Sequence, residues 1–139
     1  MAQEYGEYWG EDGQQHRFEM SKVKDDVQSD PKQYDGIYYN LGITDSEAGI
    51  GIIEEIKISA GKAYFRVYEN VVEKEPSYDK KTISVISSGK VKISSTKSFQ
   101  DTGCPKEEGR FVEVEVITNK KQKKKIKGIL FGNVFYQKR

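Results

Sequence analysis

The residue types that most often do chemistry are scarce in this chain and poorly placed for it. There is one histidine, His16, and one cysteine, Cys104. Catalysis by a thiolate or a serine hydroxyl needs a base within hydrogen-bond reach and a third group to orient that base. His16 sits in the polar stretch "GQQHRF" and reads as a plain surface side chain. Cys104, in "DTGCPKEEG", has acids and a lysine nearby but no base, and reads as an incidental thiol. One Cys and one His are too few for a zinc-type site. The acids Asp25 and Asp26, or Asp45 and Glu47, lack the ligand spacing and glycine bend of a calcium loop. Glu54 and Glu55 are neighbours in a strand pattern, so they face opposite sides and make no acid/base pair. "GIGII", residues 49–53, has two glycines but no helical pattern after it, so it reads as a strand and not as a phosphate loop. These readings predict no catalytic residue, no metal and no cofactor.

Two features suit binding better than reaction. The first is "NKKQKKKIKG", residues 119–128, with six lysines between Lys120 and Lys127. It lies between the strand patterns "RFVEVEV" and "IKGILFGNVFY", so the plain expectation is a solvated hairpin loop over Lys120–Lys125. The functional reading is a contact, through Lys120, Lys121, Lys123, Lys124 and Lys125, with an acidic protein or an anionic membrane surface. Nucleic acid is not expected, because Glu113 and Glu115 on the facing strand would oppose phosphate. The second feature is aromatic. Tyr5, Tyr8 and Trp9 stand in a segment of Gly, Glu and Gln, where they either pack onto the domain or serve as exposed anchors for a partner.

Charge is split between these two ends. The 139 residues carry 23 Lys+Arg against 22 Asp+Glu, a net charge of +1, so the whole molecule has no strong field to steer it. Residues 1–35 nevertheless stand at −5, and residues 119–139 hold eight bases and no acid. Opposite charge, with burial of Tyr8 and Trp9, predicts that residues 1–17 lie against the C-terminal strand. A lone cysteine excludes an intrachain disulfide. No apolar run of about 18 residues and no basic-then-apolar start occurs, so a soluble protein is expected. Its compartment would be the cytosol, or a periplasm-like space if a leader had been removed.

The elements that must position these residues are mostly strands. Phe18, Met20, Val23 and Val27 come near helical spacing, with Ser21 as cap and Pro31 as stop, and predict at most one short helix. From Asp35 the period changes to two. Strands are expected over 36–41, 50–59, 63–72, 82–87, 90–95, 110–118 and 126–136, with "SAGK" and "SSGK" as tight hairpin turns. The expected fold is all-β: a polar, acidic segment over 1–34, then one antiparallel domain over 35–139, a meander of about seven or eight strands forming a small barrel or sandwich.

"YDGIYY", residues 34–39, resembles the opening motif of lipocalins, with an aromatic two places before the glycine and Tyr38 where that family has tryptophan. The resemblance covers six residues and implies a barrel carrying a small apolar ligand. Three functions are therefore carried forward. The first is a non-enzymatic binding protein working through protein–protein contacts, as an inhibitor, immunity-type or accessory factor. The second is a lipocalin-like carrier, and the third an enzyme of unknown class.

Overall fold

Alternating apolar and charged residues form nearly all of the structure, a computed structural model that describes residues 4–10, 15–45, 50–69, 77–80, 82–86, 89–94, 108–117 and 123–139. The described strands are β1 (Tyr5–Trp9), β2 (Gln15–Glu19), β3 (Lys24–Asp25), β4 (Gly36–Asp45), β5 (Ile50–Ser59) and β6 (Lys62–Glu69). After them come β7 (Asp79–Lys80), β8 (Thr82–Ile86), β9 (Lys90–Ser94), β10 (Glu108–Ile117), β11 (Lys123–Phe131) and β12 (Val134–Lys138). Twelve strands replace the seven or eight expected. Two short 3-10 turns, Met20–Lys22 and Pro31–Tyr34, are the only helical elements described, and none is long and apolar enough to cross a membrane.

The short helix expected at most around Phe18, Met20, Val23 and Val27 shrinks to the 3-10 turn Met20–Lys22, for a tertiary reason. Phe18 belongs to β2, which pairs with β1 from Tyr5↔Glu19 to Trp9↔Gln15, and its ring is buried. Val27, at 59 % exposure, is not a core residue at all. Helical spacing of four apolar residues was thus outweighed by packing on an adjacent strand. Pro31 opens the second turn, where Asp30 accepts a hydrogen bond from the Lys32 N–H at 3.0 Å.

Turn chemistry explains two other boundaries. Between β5 and β6, Ala60 and Gly61 both take positive φ, 51° and 76°, as a two-residue hairpin requires. The stretch 126–136, expected as one strand, breaks at Gly132, whose φ of 62° reverses the chain into the β11–β12 hairpin.

The sheet is mixed and closes on itself. β1 runs parallel to β12 at Glu7↔Val134, while the other pairings are antiparallel. β2 reaches β10 at Phe18↔Val116, β1 meets β4 at Trp9↔Leu41, and β4 meets β12 at Tyr39↔Gln137. With the β10–β11 and β11–β12 ladders, these pairings make a ring of six strands. Beyond it the sheet continues through β5 and β6 on one side and through β9 and β8 on the other. β6 and β8 come side by side, with no ladder between them among the described residues.

Two cores lie on opposite faces of β10, β11 and β12. One holds Tyr34, Tyr38, Ile56, Phe65, Phe111, Ile129, Phe131 and Tyr136, with Tyr34 stacked on Phe111 at 4.0 Å. The other, inside the ring, holds Tyr8, Phe18, Val112, Val114, Val116, Ile126, Leu130 and Phe135. Of residues 1–17, the described strand β1 does meet the C-terminal strand, and Tyr8 rests on Phe135 with ring centroids 5.2 Å apart. Trp9 is only half-buried, so Tyr8 and Phe18 carry the contact. Each fully buried ring contributes roughly 1.5–3 kcal/mol.

Phe18 lies across Gly6, where a Cβ would collide with its ring. Phe18→Ala should cost about 3–5 kcal/mol in denaturant unfolding. Gly6→Ala should cost about 1–3 kcal/mol alone but nearly nothing in the Phe18→Ala background. Additive losses in that cycle would refute the overlap.

Candidate functional site

The lysine-rich stretch is more structured than a loop. Lys120 and Lys121 lie outside the described residues, but Lys123, Lys124 and Lys125 begin β11 and pair in register with Ile117, Val116 and Glu115. For Lys123, Lys124 and Lys125 this corrects the expectation of a loop over Lys120–Lys125. The physical reason is on the neighbouring strand, where glutamates occupy the positions opposite lysines: Glu115 faces Lys125 and Glu113 faces Lys127. Lys123 reaches Glu115 at 3.8 Å and Lys127 reaches Asp26 at 3.6 Å. The ladder tolerates its positive charge because half of the complement is built in.

The N-terminal hairpin turns its other face outward beside this ladder. Tyr5 is 46 % exposed, with the Arg17 guanidinium 5.7 Å from its ring centre. Arg17 is held in turn by Glu7 at 2.8 Å, and the Gln15 amide donates to Glu7 at 2.9 Å. Ile117, at 61 % exposure, is the most open large apolar residue described. Tyr5, Arg17, Glu19, Glu115, Ile117 and Lys123 line a depression of about 550 Å³. A second, of about 500 Å³, is lined by Val23, Lys24, Glu113 and Lys125 and shares Lys22 and Glu115 with the first.

Strand alternation therefore divides the aromatic candidates. Tyr5 faces out, Trp9 is half-buried, and Tyr8, 3 % exposed, is a core residue and not an anchor for a partner. His16 corrects the sequence reading as well: it is 9 % exposed, with its ring 5.4 Å from that of Tyr8. Alternation with Phe18 across a strand was the signal for this, hidden by the polar composition of the segment. Cys104 lies outside the described residues.

Sequence reasoning placed Glu54 and Glu55 on opposite faces but missed how differently they live. Glu55 is fully buried. It accepts hydrogen bonds from Tyr78 at 2.6 Å, Tyr68 at 2.7 Å, Arg66 at 2.9 Å and Arg139 at 2.7 Å. Burial alone would raise its pKa, but the hydrogen bonds of Tyr78, Tyr68 and Arg66 and the Arg66 charge together hold it below the usual carboxylate range. Its oxygens are committed to joining β5, β6 and the C-terminal residue, which makes it structural. Glu54, on the face of Ile56, has its pKa raised by burial, offset in part by the hydrogen bond from Tyr136 at 2.7 Å.

The surface around Tyr5 and Ile117 is thus the best candidate site: apolar groups open to solvent on a rigid sheet, framed by both signs of charge. The chain matches no protein-family model, no curated protein and no solved structure.

The two glutamates predict opposite pH behaviour. The stability Glu55 contributes is present above its unfolded pKa, about 4.3, and is lost as pH falls through its lower folded value. The raised pKa of Glu54 works the other way, costing stability as pH rises through it. Glu55→Gln should therefore cost about 3–5 kcal/mol at neutral pH by breaking the network around a buried carboxylate and leaving the mostly covered Arg66 uncompensated, whereas Glu54→Gln should stabilise there. Denaturant unfolding across pH checks both signs.

Proposed function

We propose that this protein is a non-enzymatic binding protein that works through protein–protein contacts, as an inhibitor, immunity-type or accessory factor. The observation that carries the reading is the surface holding Tyr5, 46 % exposed, and Ile117, 61 % exposed, beside the lysines of β11. Aromatic and branched apolar groups that stay open on a rigid sheet, within a charged rim, match the anatomy of a contact surface. The sheet supplies preorganisation, because Phe18 and Val116 are locked into the core behind that face.

The same packing weighs against the carrier reading. Where a lipocalin-like barrel would hold its ligand, side chains fill both faces of the sheet: Tyr8, Phe18, Leu130 and Phe135 inside the ring, and Tyr38, Phe65, Phe111 and Tyr136 on the other side. Catalysis gains no support from His16, which is packed against Tyr8, or from Glu55, whose oxygens are engaged by four side chains.

Affinity capture from the source cells, followed by binding measurement with each captured protein, tests the proposal. Tyr5→Ser with Ile117→Ser should weaken binding at least about tenfold and change folding stability by less than about 0.5 kcal/mol. Undiminished binding by a correctly folded double variant would remove this surface from consideration.

A further inference from the structure

β11 is longer than one of its two neighbours. β10 accompanies it throughout, from Ile117↔Lys123 to Arg110↔Leu130. β12 covers its opposite side only from Gly128 to Phe131. Among the described residues, no strand pairs with that side from Lys123 to Lys127. Along these five residues every other one, not bonded to β10, turns its main-chain N–H and C=O toward an edge that no described strand occupies. All are exposed except Ile126, which points into the inner core.

Lysines on an edge protect against indiscriminate pairing, and here they also define what would fit. If two copies joined antiparallel along this edge, lysines would stand opposite lysines, which is destabilising. A strand bearing acids would meet the opposite condition. β10 already demonstrates the match on the other side of β11: Glu113, Val114, Glu115 and Val116 stand opposite Lys127, Ile126, Lys125 and Lys124. The complement of this edge is therefore a chain that alternates acidic with β-branched residues, acids on the face of Lys125 and Lys127 and apolar groups on the face of Ile126. Lys124 and Lys125 form no ion pair among the described residues, so they have charge left to offer.

From this we infer that the edge Lys123–Lys127 takes up an extended acidic segment of a partner protein as an added strand, with main-chain hydrogen bonds supplying affinity and the lysines selecting for acids. The inference rests on the protein-contact reading and names its partner class. Lys123 and Lys125 also line the two depressions beside Tyr5 and Ile117, so edge and depressions belong to one surface.

The test uses the full chain and three synthetic peptides: one alternating glutamate and valine, one alternating lysine and valine, and the glutamate peptide N-methylated at alternate residues to remove its donors. Amide exchange read by NMR should slow at alternate residues within 123–127, those whose N–H faces away from β10, with the glutamate peptide alone. Lys123→Gln with Lys125→Gln should weaken that binding about fivefold, and added salt should weaken it further. Equal binding of the N-methylated peptide would overturn strand addition and leave a contact of charge only. No binding of the glutamate peptide, or protection elsewhere, would overturn the edge. In those cases the protein-contact reading survives if the Tyr5 and Ile117 double variant still loses its captured partner, and falls with the edge if it does not.

Discussion

The structure depends on one strand that feeds two cores. β10 sends Phe111 into one core and Val112, Val114 and Val116 into the other. Its two edges are occupied as well: β11 runs along one, and the other is shared by β9 at residues 108–110, β3 at 112–113 and β2 at 116. A strand surrounded in this way satisfies its main-chain groups internally and gains apolar burial on two sides. Neither sheet lobe could do that for it alone. The N-terminal hairpin is what completes the second core, so a segment with little apolar content becomes part of the sheet because a ready-made apolar face awaits it.

Charge follows the same logic of neighbours. The acidic N-terminal segment and the basic C-terminal one are not held together by a broad attraction between ends. Their ion pairs are local: Arg17 with Glu7 inside one hairpin, Lys123 with Glu115 inside another, and Lys127 with Asp26 where the two meet. Such exposed pairs contribute roughly 0–1 kcal/mol each, so they set register while the rings of Tyr8, Phe18 and Phe135 supply the energy. The buried Glu55 cluster differs in kind. There a desolvated carboxylate is sustained only by the four side chains that converge on it, and it ties the C-terminal Arg139 and Tyr78 to the face of β5.

Much of the sheet was legible in the sequence, and the failures are instructive. "EEIKIS" and "RFVEVEVI" announced β5 and β10, because alternation of polar and apolar residues has one reading in an antiparallel sheet. Tyr5 was one of three N-terminal aromatics left open between packing and exposure. Tyr8 could not be separated from it until the pairing of β1 with β2 assigned the two rings to opposite faces. Gly132 was passed over as a turn since "FGNV" sits inside an apolar run that continues on both sides. The lysines of β11 were taken for a loop because exposed charge signals solvent, and solvent is equally the environment of a strand projecting past its neighbour.

By itself, then, the sequence determined the β class, the hairpin turns at Gly61 and Gly89, the opposition of Glu54 and Glu55, and the scarcity of reactive groups. All of these follow from residue type and from spacing of a few positions. Only the tertiary structure decided that Phe18 joins a strand, that β1 runs parallel to β12, that His16 packs inside, that Glu55 gathers Arg66 and Arg139, and that no described strand covers one edge of β11 from Lys123 to Lys127. These depend on partners far away in the chain, as with Arg139 and Glu55. The free energy of such contacts belongs to the pair and cannot be read from either residue's local pattern.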